Sequence, residues 1–217
     1  MNHQVNQDLN PNMYRIYPTL LNTYSMYLNE TQSSGGELLV SFEEMIDRIN
    51  RVKKPTTQAQ QKGINFETAL TTGSGEEQFP EKILEEMRNL LPPKYKTQFY
   101  VNSVVGEVQL YGYVDLVGGN KAFDIKTTRA YTAPKFADNF QNLYLLGLKK
   151  WGITSLDYLI TDFSGVYVES YSFDSYNFNP MLEVLDNFVW FLEQNRKLIR
   201  DKKIFDGKPM SNQLSLF

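Results

Sequence analysis

Asp124 and Lys126 stand two residues apart in the stretch AFDIKTT, residues 122–128, which otherwise has the apolar character of a buried strand. Side chains alternate along a strand, so an anion and a cation share one face there. Asp115 lies upstream in EVQLYGYVDLV, residues 107–117, near the exit of the preceding predicted strand. A short Gly-containing turn separates the two strands, and hairpin pairing brings Asp115 and Asp124 close on one sheet face. Two carboxylates and an ammonium form a hard-oxygen site suited to Mg²⁺ or Mn²⁺. Without an ion the paired negative charges repel, and one pKa rises. The bland alternative is a structural ion pair between Asp124 and Lys126.

The rest of the composition narrows the chemistry. The chain has 217 residues, no cysteine and one histidine, His3. The lack of cysteine excludes thiolate metal sites and disulfides, and a lone histidine in a polar N-terminal stretch argues against a Ser-His-Asp triad or a histidine general base. Net charge is −3, which argues against holding nucleic acid by bulk charge alone. No apolar run approaches the roughly 20 residues that span a bilayer. The N-terminal MNHQVNQDLNPN has no signal-peptide hydrophobic region, so the expected compartment is the cytoplasm.

The elements that must position these groups follow from periodicity and punctuation. Residues 1–12 read as a flexible lead-in, 13–204 as one domain, and 205–217 as a tail. Residues 13–28 read as mostly helical with Pro18 near a helix start. Ser41 with Glu44 forms a capping-box pattern ahead of a helix over 42–52. INFETALTTG predicts a helical segment ending near Gly73, and residues 80–91 a helix stopped by Pro92 and Pro93. The period then shortens, predicting strands over 97–105, 107–117 and 121–128. In the second of these, Val108, Leu110, Gly112, Val114 and Leu116 are expected on one face, and Gln109, Tyr111, Tyr113 and Asp115 on the other. Residues 134–152 predict a helix, two further strands a hairpin around Ser164-Gly165, and residues 180–203 a long amphipathic helix. The fold expected is α/β, a mixed central sheet flanked by helices with a helical N-terminal part.

Asp115, eight intervening residues, then Asp124-Ile125-Lys126 resembles the signature of the PD-(D/E)XK nuclease superfamily. The order of elements resembles its RecB-like branch, with Glu67 on an upstream helix and Gln141 and Tyr144 on a following one. The resemblance covers residues 15–200 and implies a restriction-endonuclease-like core. It departs from the pattern in having Val114 for the Pro and Gln141 and Tyr144 three apart. By resemblance, Asp115, Asp124 and the Ile125 carbonyl would hold Mg²⁺ or Mn²⁺, with Glu67 binding directly or through water. Lys126 would orient the attacking hydroxide. Gln141, Tyr144, Thr127 and Arg129 would contact substrate, with Thr128, Lys135, Lys149 and Lys150 extending a basic path. The implied activity is DNA phosphodiester hydrolysis, exonucleolytic in preference, in repair, recombination or phage replication. A site-specific restriction-type endonuclease and a catalytically silent adaptor are the alternatives.

The final pentapeptide, Gln213, Leu214, Ser215, Leu216 and Phe217, resembles the bacterial sliding-clamp-binding motif at every position. It implies the DNA polymerase sliding clamp as a partner, with Gln213 hydrogen-bonding at one pocket and Leu214, Leu216 and Phe217 filling an apolar one. DNA is the other expected partner, and no membrane is.

Overall fold

In the computed structural model the described residues are 13–33 and 35–208. His3 and the pentapeptide 213–217 lie outside them. A six-stranded mixed sheet carries helices on both faces, the architecture expected from the sequence. The strands are β1 (Tyr14–Ile16), β2 (Lys96–Val105), β3 (Val108–Gly118), β4 (Lys121–Thr127), β5 (Ser155–Thr161) and β6 (Val166–Ser172). The helices are α1 (Pro18–Leu28), α2 (Phe42–Ile49), α3 (Gln58–Thr72), α4 (Glu81–Leu90), α5 (Tyr144–Leu148) and α6 (Asn179–Gln194).

The sheet runs β1-β3-β4-β5-β6, with β2 paired to β3. β1 pairs parallel to β3, β4 pairs parallel to β5, and the other pairs are antiparallel. β2 pairs with β3 along most of its length, so β1 and β4 must share the other edge of β3. β1 takes residues 108–110 and β4 takes 116–118. Residues 111–115 of β3 have no strand partner on that edge, and the sheet forks there.

One face is covered by α3 and α4, whose Phe66, Leu70, Ile83 and Met87 pack on Leu116, Phe123, Ile125 and Leu159. The other face packs Val101, Val114, Tyr158 and Ile160 against Leu145 and Leu148 of α5. A third cluster joins α1 and α6 to β1 and the start of β3, with Tyr24 4.7 Å from Phe188 and 5.3 Å from Phe191, centroid to centroid.

Local signals explain most boundaries. Ser41 accepts from the Glu44 amide at 3.2 Å while the Glu44 carboxylate accepts from the Ser41 amide at 3.1 Å, so α2 starts where the capping box places it. Thr57 and Gln60 form the same reciprocal pair at the start of α3. Gly73 ends α3 in the left-handed region at φ +79°, where a side chain would be strained.

Four expectations are corrected. Residues 13–28 are not helical throughout, because Tyr14–Ile16 pairs with β3 before Pro18 opens α1. Residues 134–152 hold only a five-residue α-helix between two 3₁₀ turns, Phe140–Leu143 and Lys149–Trp151. The helix starts late because the Asn139 side chain caps the Gln141 amide. The last long helix stops at Gln194, where the Asn195 side chain donates to the Phe191 carbonyl at 2.9 Å. Finally, Val114 and Leu116 do not share a core: Val114 packs with the α5 side and Leu116 with the α3 and α4 side. The strict alternation of β3 breaks at Asp115. The break is matched on β2 by Gln98, which sits at φ +48° and interrupts the ladder opposite Asp115.

Candidate active site

The fork places the chemistry. β4 is paired to β5 through residues 121–127 but to β3 only through 121–123. Beyond Phe123 the β3-facing edge of β4 needs another partner. Asp115 supplies it, its Oδ2 accepting from the Ile125 amide at 2.8 Å. The N–H and C=O of one strand residue point to the same edge, so the Ile125 carbonyl also opens into the fork.

Asp124 is 1% exposed. Its Oδ1 accepts from Gln141 Nε2 at 2.6 Å, and the Lys126 ammonium lies against its Oδ2. That ion-pair contact is off hydrogen-bond alignment, so buried Oδ2 has no hydrogen-bond donor. Lys126 Nζ instead donates to Gln141 Oε1 at 2.9 Å. Gln141 therefore bridges the anion and the cation. It is held in turn by Asn139, whose Oδ1 accepts from the Gln141 amide at 2.9 Å and from Asn22 Nδ2 at 3.0 Å. Asn22 Oδ1 also accepts from the Phe140 amide at 3.0 Å, tying the turn to α1.

Tyr144 rises from α5 over Gly112. A Cβ at residue 112 would fall 2.1 Å from the Tyr144 hydroxyl oxygen, so the glycine makes room for the ring. Burial raises the Tyr144 pKa, and the charges of Asp124 and Asp115 raise it further. The phenol therefore remains a neutral donor beside both carboxylates.

Glu67 faces the same region from α3. Burial raises its pKa, with the Asp124 charge adding to this and Lys126 opposing it. Its Oε1 accepts from Gln98 Nε2 at 3.0 Å. Among the described residues, no three His, Asp or Glu side chains converge as a ready-made metal cage. The Asp115 carboxyl is pushed up to about 8, first by desolvation, then by the charges of Asp124 and Glu67. An oxygen-only donor set of Asp115, Asp124 and the Ile125 carbonyl fits a hard divalent cation. The raised Asp115 pKa is the sign of uncompensated negative charge that such a cation relieves.

The remaining expected residues divide. Thr127 ends β4 beneath α3, with its Oγ1 3.2 Å from where a Cβ on Gly63 would lie. Thr128 and exposed Arg129 begin the following loop. Lys135 folds onto that loop, donating to Thr128 Oγ1 at 2.5 Å and to the Ala130 carbonyl at 2.8 Å. Lys149 and Lys150 do not join the constellation. Lys149 Nζ lies 3.8 Å from the centre of the Phe173 ring, and Lys150 donates to Asn102 Oδ1 at 2.6 Å. Sequence reasoning missed Asn22, Asn139 and Gln98. Asn139 had a readable signal, an Asx residue two positions before Gln141; Asn22 and Gln98 had none.

No family model and no curated protein matches the chain. A solved structure from Eubacterium rectale, named a "putative exonuclease", superposes with a TM-score of 0.51 at 11% identity, covering 99% of this chain and 97% of that one. The two share a fold. The structure of SSO0001 gives a TM-score of 0.37 at 12% identity, over 70% of this chain and 86% of that one, and carries no argument.

Proposed function

We propose that the chain is a Mg²⁺- or Mn²⁺-dependent deoxyribonuclease of the PD-(D/E)XK type, in its RecB-like branch. The observation that carries this is the forked sheet edge, where Asp115 accepts from the Ile125 amide between Asp124 and Lys126, themselves paired and bridged by Gln141. The shared fold with a protein named as an exonuclease supports the same reading. Asp115, Asp124 and the Ile125 carbonyl would hold the cation, with Glu67 reaching it directly or through water. The cation would lower the pKa of a water and offset the charge of a scissile phosphate.

This chain's own residues supply the rest. Lys126, already neutralising Asp124, presents an ammonium that orients the nucleophile and stabilises developing negative charge. Gln141 fixes that ammonium by accepting from it while holding Asp124 with its other end. Tyr144 offers a neutral hydroxyl, and Thr127 and Arg129 offer phosphate contacts at the mouth.

Exonuclease action in repair, recombination or phage replication is the favoured role, in the cytoplasm. Among the described residues no helix is long and apolar enough to cross a membrane. The pentapeptide 213–217, outside the described residues, would tether the enzyme to the sliding clamp. The experiment is incubation of purified protein with end-labelled single- and double-stranded DNA in Mg²⁺, Mn²⁺ or EDTA. Metal-dependent shortening of the label supports the reading, and intact DNA under every condition refutes it.

A further inference from the structure

One face of the β2–β3 ribbon has no helix over its aromatic side chains. Tyr113 is 53% exposed and Tyr100 39% exposed, and they meet edge to face with ring centroids 5.4 Å apart. They sit opposite each other in the ladder. Two residues back along β3, Tyr111 continues the row. The Arg15 guanidinium lies 4.1 Å above its ring, and Arg51 donates to its hydroxyl at 2.8 Å. Arg15 is paired in register with Gln109, so its side chain belongs to the Tyr111 face. Among the described residues Arg51 has a carboxylate partner, Asp201 at 2.6 Å, and Arg15 has none.

A buried role does not account for this row. Gly112 and Val114, between these tyrosines, face the α5 core, which sends Tyr111 and Tyr113 to the opposite side. The row ends two residues before Asp115, where the alternation of β3 breaks and the carboxylate turns into the fork toward Ile125. The exposed segment 51–57, with Arg51, Lys53 and Lys54, leads from α2 into α3, the helix that carries Glu67. The face thus combines flat π surfaces at strand spacing with guanidinium groups at one end and the forked edge that holds Asp115 at the other.

We infer that this face is a track for a single strand of nucleic acid, its bases stacking on exposed Tyr100 and Tyr113 and its phosphates meeting Arg15 and Arg51 around Tyr111. Three features favour a single strand. Aromatic faces exposed on a sheet recognise unstacked bases, which a duplex keeps inside. The positive charge is local, so the net charge of −3 does not oppose it. The track also ends at the forked edge, where Asp115 reaches the Ile125 amide between Asp124 and Lys126. This deepens the nuclease reading and rests on it for the direction in which the strand is delivered.

The test is fluorescence anisotropy of a labelled oligothymidylate of about 16 nucleotides with the full chain in EDTA, where binding is read without cleavage. The double variant Tyr100→Ala/Tyr113→Ala should bind about tenfold or more weakly. Arg15→Gln should lower the slope of log affinity against log salt by about 0.7. Trp190→Ala, at a 65% exposed position on α6, should bind as wild type does. Circular dichroism melts check that each variant is folded. The inference is overturned if wild type does not bind, if the double variant binds equally well, or if Trp190→Ala weakens binding as much. It is also overturned if sedimentation shows that the double variant has lost self-association, since the face would then be a contact between copies. Because binding is read without metal, a protein that binds through these tyrosines but never cleaves DNA refutes the nuclease reading and leaves the track standing.

Discussion

At the scale of single residues, Asp115 connects structure to charge. Its carboxylate substitutes for a missing backbone acceptor at Ile125, a role served best by the ionised form, yet burial and two neighbouring acids push its pKa to about 8. The sign is definite. A folded-state pKa above the ordinary value of 3.8 stabilises the protein at pH below that value, and the contribution is lost as pH rises through about 8. Metal-free protein should therefore lose melting temperature between about pH 4 and pH 8, and Asp115→Asn should flatten that dependence. Binding of Mn²⁺ should reverse the trend, raising the melting temperature more at pH 8 than at pH 6, because the ion competes with a proton for the same oxygens. Thermal melts with and without millimolar Mn²⁺ across that range check both statements. Lys126 serves the reaction more than the metal. Lys126→Ala should lower turnover by about a hundredfold or more, with Mn²⁺ affinity by calorimetry changed much less.

At the scale of elements, the legible parts were those with local causes. Ser41 and Glu44 announced α2, and Gly73 announced the end of α3, because caps and left-handed turns are decided within a few residues. The short α5 and the early stop of α6 were hidden, since Asn139 and Asn195 act through side-chain bonds that a periodic pattern does not register. The break in β3 was also hidden. Alternation placed Val114 and Leu116 together, whereas the fork and Gln98 turn them to different cores. The α5 element gives a test through Gly112. Gly112→Ala should cost about 1–3 kcal/mol, because the new methyl group meets the Tyr144 hydroxyl and ring. Tyr144→Ala in the same chain should recover much of that loss, and urea melts of the two single variants and the double variant measure the coupling.

At the scale of the whole molecule, the order of helices and strands was enough to predict a mixed sheet flanked by helices. The Asp115, Asp124 and Lys126 spacing pointed to groups that the fork brings together. Topology decided what spacing left open. Gln141 was expected to contact substrate from a helix; it sits in a 3₁₀ turn and bridges Asp124 and Lys126, while Lys149 and Lys150 are committed elsewhere. The clamp proposal also belongs to this scale, since it concerns where the enzyme is held and not what it cuts. A chain lacking Gln213–Phe217 should lose binding to a bacterial sliding clamp, expected near micromolar or about 8 kcal/mol, while cleaving naked DNA unchanged. Surface plasmon resonance with both chains decides it.

The most direct test of the account is cleavage by Asp124→Ala. Asp124 is buried at the centre of the constellation, and its carboxylate meets Lys126 and Gln141. Purified wild-type and Asp124→Ala proteins, matched by circular dichroism, are incubated with end-labelled DNA in Mn²⁺ and in EDTA. The account predicts Mn²⁺-dependent cleavage by the wild type, none in EDTA, and none by the folded variant. Undiminished Mn²⁺-dependent cleavage by Asp124→Ala would contradict it.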